Sequence, residues 1–159
     1  MPAQEYTLGV EEEYQIVDPE TRELRARDGR VLRRAQRDLS EEEVAPEILT
    51  PQVEVMTPVC RTLAEVRAEI LRLRRRVAGA AAKEGGRIAA ASTHPFSHWQ
   101  EQPITPKERY ENIAAYYQRL TQELLAFGFH VHVGLEDREA APGDKSRTRV
   151  ASADARALG

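Results

Sequence analysis

Hydrophobic and polar positions along the chain follow two periods, and the switches between them divide it into elements. "YTLGVEEEYQIVD" alternates, with Leu8, Val10, Tyr14 and Ile16 on one side of an extended segment and Glu11 and Glu13 on the other. Asp18 and Pro19 are turn residues, so this strand should end near Val17. "RARDGRVLRRAQRDLSEEEV" has no clear period and reads as a solvated connection with a short helix around Val31 to Leu39. "EILTPQVEVMTPV" alternates again, Val53 and Val55 opposing Gln52, Glu54 and Met56; Pro51 there fits an edge strand, a bulge or a strand that begins at residue 51. "TLAEVRAEILRLRRRVAGAAAKEGG" is a helix with a Thr62–Glu65 capping box and an inner stripe of Leu63, Val66, Ile70, Leu73 and Val77, stopped by Gly85 and Gly86. Arg72, Arg74, Arg75 and Arg76 in its later turns read as a solvated face that complements the helix dipole. "RIAAAST" is a short strand. A second capping box, Thr105 with Glu108 and Pro106 at the first helical position, opens a helix whose inner stripe is Tyr110, Ile113, Tyr117, Leu120 and Leu124 and which Gly128 ends. In the final strand, "GFHVHVG", Phe129, Val131 and Val133 face a core while His130 and His132 share the other side. The order is α+β, and the crossover helices would permit some parallel pairing. Residues 140–159 show no period and read as disorder.

Composition narrows the function. A chain of 159 residues allows one domain with an ordinary core, and 41% hydrophobic with 31% charged residues fits a globular protein. The net charge of −3 provides no global field for nucleic acid. No apolar run reaches the length of a membrane span. With a lone cysteine, Cys60, and no signal-peptide pattern, a reducing cytoplasm is the expected compartment. Neither glycine-rich phosphate-loop motif, GxGxxG or GxxxxGK[ST], occurs. Oligomeric state is not specified by the sequence.

Three strands each carry polar positions inside an apolar pattern: Glu11 and Glu13, Glu54, and His130 with His132. Taken singly, an acidic run is ordinarily a solvated face and a histidine strand is often merely hydrogen-bonded. Taken together, they could converge on one site. In a strand the Cβ atoms of Glu11 and Glu13 lie roughly 6–7 Å apart. Carboxylates so close repel, and a buried face tolerates them only with a cation between them. Mg²⁺ takes oxygen ligands and leaves positions for water and substrate phosphates. A His-x-His pair with a glutamate also suits Zn²⁺, so a non-catalytic metal-binding module is the alternative.

"LGVEEEYQIVDPET", "QVEVMTPVCRTLAEV", "AASTHPFSHW", "ERYENIAAYY" and "GFHVHVGLEDREA", in that order, resemble the N-terminal part of the carboxylate-amine ligases of the glutamate-cysteine ligase type 2 group, over about residues 6 to 140. The resemblance implies a partial, mostly antiparallel glutamine synthetase-like sheet packed with two main helices. Residues 1–139 would be the N-terminal part of a ligase catalytic domain and 140–159 a divergent tail. It implies an ATP-dependent reaction: a substrate carboxylate attacks the γ-phosphate, giving an acyl phosphate and ADP, and an amine then displaces phosphate to form an amide, with Mg²⁺ offsetting the charge. Small-molecule amino acids and ATP would be the partners. By motif, Glu11 and Glu13 would bind different ions, Glu54 would be a further ligand, His130 would bind metal, and His132 would contact the nucleotide phosphates. Thr93, His94, Arg109 and Tyr110 fall in motifs expected near the substrate. By residue type alone, Arg109 reads equally as a surface helix residue and His94 as an end-of-strand hydrogen-bonding group. No residue is singled out as catalytic. Members of the group continue past this length, whereas "PGDKSRTRVASADARALG" has the composition of a shifted reading frame in GC-rich DNA. The chain is therefore expected to be a truncated ligase, inactive by itself, or a pseudogene product.

Overall fold

The computed structural model describes residues 6–25, 29–98, 102–117 and 127–135. The expectations for residues 118–126 and for the tail at 140–159 lie outside the described residues.

The long alternating segment forms β1 (Tyr6–Val17), the spine of a five-stranded sheet. One edge of β1 pairs with β3 (Gln52–Met56) over Glu11–Gln15, and β3 pairs in turn with β2 (Val44–Pro46). Two strands share the other edge: β5 (Phe129–Leu135) along Tyr6–Glu12 and β4 (Arg87–Ala89) along Gln15–Val17. These pairings are all antiparallel, so the crossover helices yield no parallel neighbours among the described residues. The fold class is α+β, as the element order indicates.

One sheet face holds the core. Tyr14 and Ile16 of β1, Val53 and Val55 of β3 and Val44 of β2 pack against α1 (Arg30–Ala35) and α2 (Leu63–Lys83). Complete burial of Leu73 and Val77 on α2 stabilises by about 1.5–3 kcal/mol each. A helix cap contributes about 1 kcal/mol, so α2 is held mainly by its second half. The cap at Thr62 forms, its hydroxyl accepting from the Glu65 N–H, and Glu65 accepts from the Arg61 N–H. At the other end Gly85, at φ 71°, takes the left-handed position of a Schellman motif, with Gly86 N–H bonded to the Ala81 carbonyl and Gly85 N–H to that of Ala82.

Several details differ from the sequence reading. Leu63 is 77% exposed, because α2 is about 31 Å long at 1.5 Å per residue and its first turns overhang the core. β2 occupies the end of the expected connection; three residues are too few for alternation to show, yet Val44 is wholly buried. β3 is interior rather than an edge, and Pro51 precedes it with its carbonyl accepting from the Ile16 N–H. The second helix, α3 (Glu108–Tyr117), starts after the expected cap. The Thr105 hydroxyl donates instead to the Glu47 carbonyl, a tertiary bond that removes it from the helix end. Val133 is 54% exposed, so the β5 face opposite the histidines is only partly core. The arginine face of α2 is paired as well as solvated: Arg72 bonds Glu43 and Glu69, and Arg74 turns inward. Among the described residues no helix is long and apolar enough to cross a membrane.

Candidate active site

The opposite sheet face carries the polar residues, and strand register decides which of them meet. Glu13 lies directly across from Glu54, Glu11 across from His130, and Gly9 across from His132. Opposed residues in an antiparallel pair project to the same side. Glu11, Glu13, Glu54, His130 and His132 therefore share one face. Gly9 puts no side chain opposite His132, whose Nε2 reaches diagonally to within 3.1 Å of Glu11 Oε2. His130 Nδ1 stands 3.4 Å from the same oxygen.

What aims these side chains lies partly on the buried face. Glu12, between the two site glutamates, is 3% exposed. Arg74 of α2 meets its carboxylate with both arms of the guanidinium, Nε to Oε2 at 2.8 Å and Nη2 to Oε1 at 2.6 Å. The Tyr14 hydroxyl donates to it as well. Burial first, and then the Glu12 carboxylate, hold the Tyr14 hydroxyl in its protonated form by raising its pKa. A buried carboxylate so paired is costly to misplace, and the strand pitch it fixes turns Glu11 and Glu13 outward. At the start of β5, Phe127 buries against Leu49 and its N–H bonds the Ser92 carbonyl. The next residue, Gly128, accepts from the Glu13 N–H at 3.0 Å. A Cβ on Gly128 would stand 2.8 Å from His130 Cε1 and 3.1 Å from Glu13 Oε1, so only glycine allows the approach of these two side chains.

The acidic face is electrostatically crowded. Burial raises the pKa of Glu13, a backbone hydrogen bond from Gly128 opposes this, and the charges of Glu47 and Glu11 add to the rise. Glu54 is pushed up to about 7, first by burial and then by Glu47, Glu11 and Glu13, with Arg109 pulling the other way. Glu47 thus joins the group, although it follows the three-residue β2 and no sequence period marked it. Arg109, exposed on α3, supplies a positive charge to Glu54. Tyr110 is buried and its hydroxyl donates to the Pro46 carbonyl at 2.7 Å. His94 is committed to the backbone: Nδ1 accepts from the Ser97 N–H at 2.9 Å and Nε2 lies 2.9 Å from the Arg22 carbonyl. Thr93 is exposed and follows directly on Ser92, the partner of Phe127. A cleft of about 490 Å³ between α1 and residues 103–107 is lined by none of the sequence-predicted site residues.

The donor set fits a hard divalent cation. Glu11, Glu13, Glu47 and Glu54 offer carboxylate oxygens, two of them with raised proton affinity because their charges lie close together and partly out of water. In the side-chain arrangement described, no three His, Cys, Asp or Glu side chains among the described residues close on one point that could hold an ion. The fit is therefore one of donor chemistry.

Comparison with known proteins adds the lineage. Residues 7–154 match the family described as Glutamate-cysteine ligase family 2 (GCS2). The chain belongs to this family. Among curated members assigned as glutamate–cysteine ligase 2, that of Chloroflexus aurantiacus is 51% identical over 136 residues, which are 86% of this chain and 35% of that protein. The Roseiflexus castenholzii protein is 50% identical over 136 residues, 86% of this chain and 36% of its own length. That of Herpetosiphon aurantiacus is 52% identical over 134 residues, 84% and 34% respectively. The chain thus spans about a third of the length of these family 2 relatives. The fold is shared with the crystal structure of glutamate–cysteine ligase (gshA) from Francisella tularensis in complex with AMP, at a TM-score of 0.67 and 11% identity, covering 84% of this chain and 28% of that one.

Proposed function

We propose that residues 1–139 form the N-terminal part of an ATP-dependent carboxylate-amine ligase that joins glutamate to cysteine, and that they carry its metal- and nucleotide-binding strands. The observation that carries the reading is the strand register, Glu13 opposite Glu54 and Glu11 opposite His130 on one sheet face. Glu13 with Glu54 and the adjoining Glu47 would hold one Mg²⁺, and Glu11 with His130 a second. When bound, these ions offset the negative charge of the transferring phosphoryl group. His132, half exposed beside Glu11, donates a hydrogen bond to a nucleotide phosphate oxygen. Arg109 orients the substrate carboxylate and Thr93 contacts the substrate, while Tyr110 and His94 hold the surrounding backbone. In the reaction, an oxygen of the substrate carboxylate bonds to the γ-phosphorus as the bond to ADP breaks. The amine nitrogen then attacks the acyl carbon, inorganic phosphate leaves, and the amine proton passes to solvent. A reducing cytoplasm, where cysteine stays a thiol, suits such a reaction.

The test is a chimera that joins residues 1–139 to the part of the Chloroflexus aurantiacus relative beyond its matched stretch. Glutamate- and cysteine-dependent ADP release is expected, and Glu54→Gln should lower kcat by roughly a hundredfold or more, as misplacement of reacting groups does. No amino-acid-dependent ADP release from a folded chimera would refute the ligase reading. The 159-residue chain alone should show no such turnover, and Glu13→Gln should change nothing in it. Clear turnover abolished by that substitution would show residues 1–159 to be sufficient.

A second reading has its own observation: Glu11 lies between two imidazoles, a donor set that also suits a transition ion. Metal analysis of protein purified without chelator separates the two. Stoichiometric zinc favours a binding module, and weak Mg²⁺ binding strengthened by ATP favours the ligase.

A further inference from the structure

The cleft beside α1 lies apart from the acidic face, and its two walls differ in kind. One wall, residues 103–107, is stitched in place. The Thr50 N–H and hydroxyl both donate to the Pro103 carbonyl, at 2.9 and 3.1 Å, and the Thr105 N–H donates to the Ile48 carbonyl at 2.8 Å. The Thr105 hydroxyl ties the same stretch to the Glu47 carbonyl. Pro103 and Pro106 stiffen this wall, and with Ile104, which is 37% exposed, they make it apolar. The other wall is α1, which contributes Leu32 and Arg33. Gly29, at φ 67°, has no side chain, and the Arg33 guanidinium lies over that space: a Cβ there would stand 3.3 Å from Nη1. Arg33 and Lys107 both line the cleft, and no acidic side chain is among its described lining residues. Neither cation forms an ion pair among the described residues, whereas the neighbouring Arg34 pairs with Glu84. A hollow of about 490 Å³ with a fixed apolar wall and two unpaired cations suits a ligand that is apolar over its body and negative at one end.

We propose that this cleft binds a small aliphatic carboxylate, its hydrocarbon body against Leu32, Ile104 and Pro106 and its carboxylate meeting Arg33 and Lys107. The guanidinium fork can donate to both carboxylate oxygens, and the lysine ammonium adds a point charge. The apolar body supplies most of the affinity and the two cations the preference for an anion. None of the residues assigned above to metal, nucleotide or amino acid lines the cleft, so the claim stands or falls separately from the ligase reaction.

The probes are hexanoate, octanoate and 1-hexanol, titrated into the 159-residue chain with the methyl NMR signals of Leu32 and Ile104 as the readout. Saturable shifts at both residues are expected with hexanoate. Octanoate should bind roughly tenfold tighter, each buried methylene contributing about fourfold, and 1-hexanol roughly tenfold weaker. Arg33→Gln and, separately, Lys107→Gln should each weaken hexanoate binding about threefold and leave 1-hexanol unchanged, whereas Arg75→Gln, exposed on α2, should alter neither. Arg33 and Lys107 are both exposed, and circular dichroism melts check that the variants fold. No saturable shift at Leu32 and Ile104, or 1-hexanol binding as tightly as hexanoate, would overturn the proposal. Displacement of hexanoate by glutamate or by ATP with Mg²⁺ would place the cleft within the reacting site, and self-association abolished by Ile104→Asp would give it to a second copy; each would overturn the proposal as well. Loss of hexanoate binding in the folded chimera would do the same, because the rest of a family 2 chain would then fill the cleft.

Discussion

Glu54 is the residue at which the acidic face states its cost. Its carboxyl is held up to about 7 by burial and by Glu47, Glu11 and Glu13, against an ordinary value of 4.5. The folded chain therefore binds this proton more tightly than the unfolded chain. The associated stability is fully present below the unfolded pKa and is lost as pH rises through the folded one. Denaturant midpoints of the metal-free chain should fall between about pH 5 and pH 7.5, and Glu54→Gln should flatten that slope. An unchanged slope in the variant would place the proton elsewhere. Saturating Mg²⁺ should raise the melting temperature more at about pH 7.5 than at about pH 5.5, where protons compete for the same oxygens. Gly128 is a second residue with a sharp expectation. A Cβ there would stand 2.8 Å from the His130 ring, so Gly128→Ala should displace His130, readable as a change in that imidazole's NMR shifts with little loss of far-ultraviolet dichroism.

Among the elements, α2 and β1 are tied by the Arg74–Glu12 pair across the core face. Arg74→Met leaves Glu12 buried without its cation. Breaking a fully buried pair costs about 3–5 kcal/mol; the Arg74 side chain is 43% exposed, so roughly 2 kcal/mol is expected by urea unfolding after that screening. The double variant Glu12→Leu with Arg74→Met should recover most of the loss, since apolar replacement of both partners is often neutral. The same pair marks the limit of sequence reading. β1, β3, α2 and β5 were legible because period, cap and stop residues act within a few positions of one another. That Glu11 and Glu13 share a side of their strand, and His130 and His132 a side of theirs, was legible because alternation assigns sides within a strand; the register that sets Glu13 across from Glu54 and Glu11 across from His130 was not. Glu12, by contrast, looks like any member of an acidic run until a helix far along the chain supplies Arg74. Glu47 and Val44 sit in an element too short to show a period. The Thr105 hydroxyl is spent on the Glu47 carbonyl, a partner that local spacing does not reveal.

The described residues form an antiparallel sheet with α1 and α2 on one face and an acidic, histidine-bearing face opposite. Every strand pairing that assembles that face runs through β1 or one step from it. Because β1 precedes every described strand that pairs with it, this topology also imposes a timetable. During vectorial synthesis β1 leaves the ribosome before β3, β4 and β5. β3 reaches it next, bringing Glu54 to Glu13, and α2 then supplies Arg74. β5, with both histidines, arrives after the other four described strands, and its pairing with β1 closes the longest loop among the described pairings. Closing it costs only slightly more entropy than a shorter loop, but it cannot begin early. Until β5 is made, the flank of β1 along Tyr6–Glu12 lacks this partner, a window in which a chaperone that shields extended apolar segments would find its client.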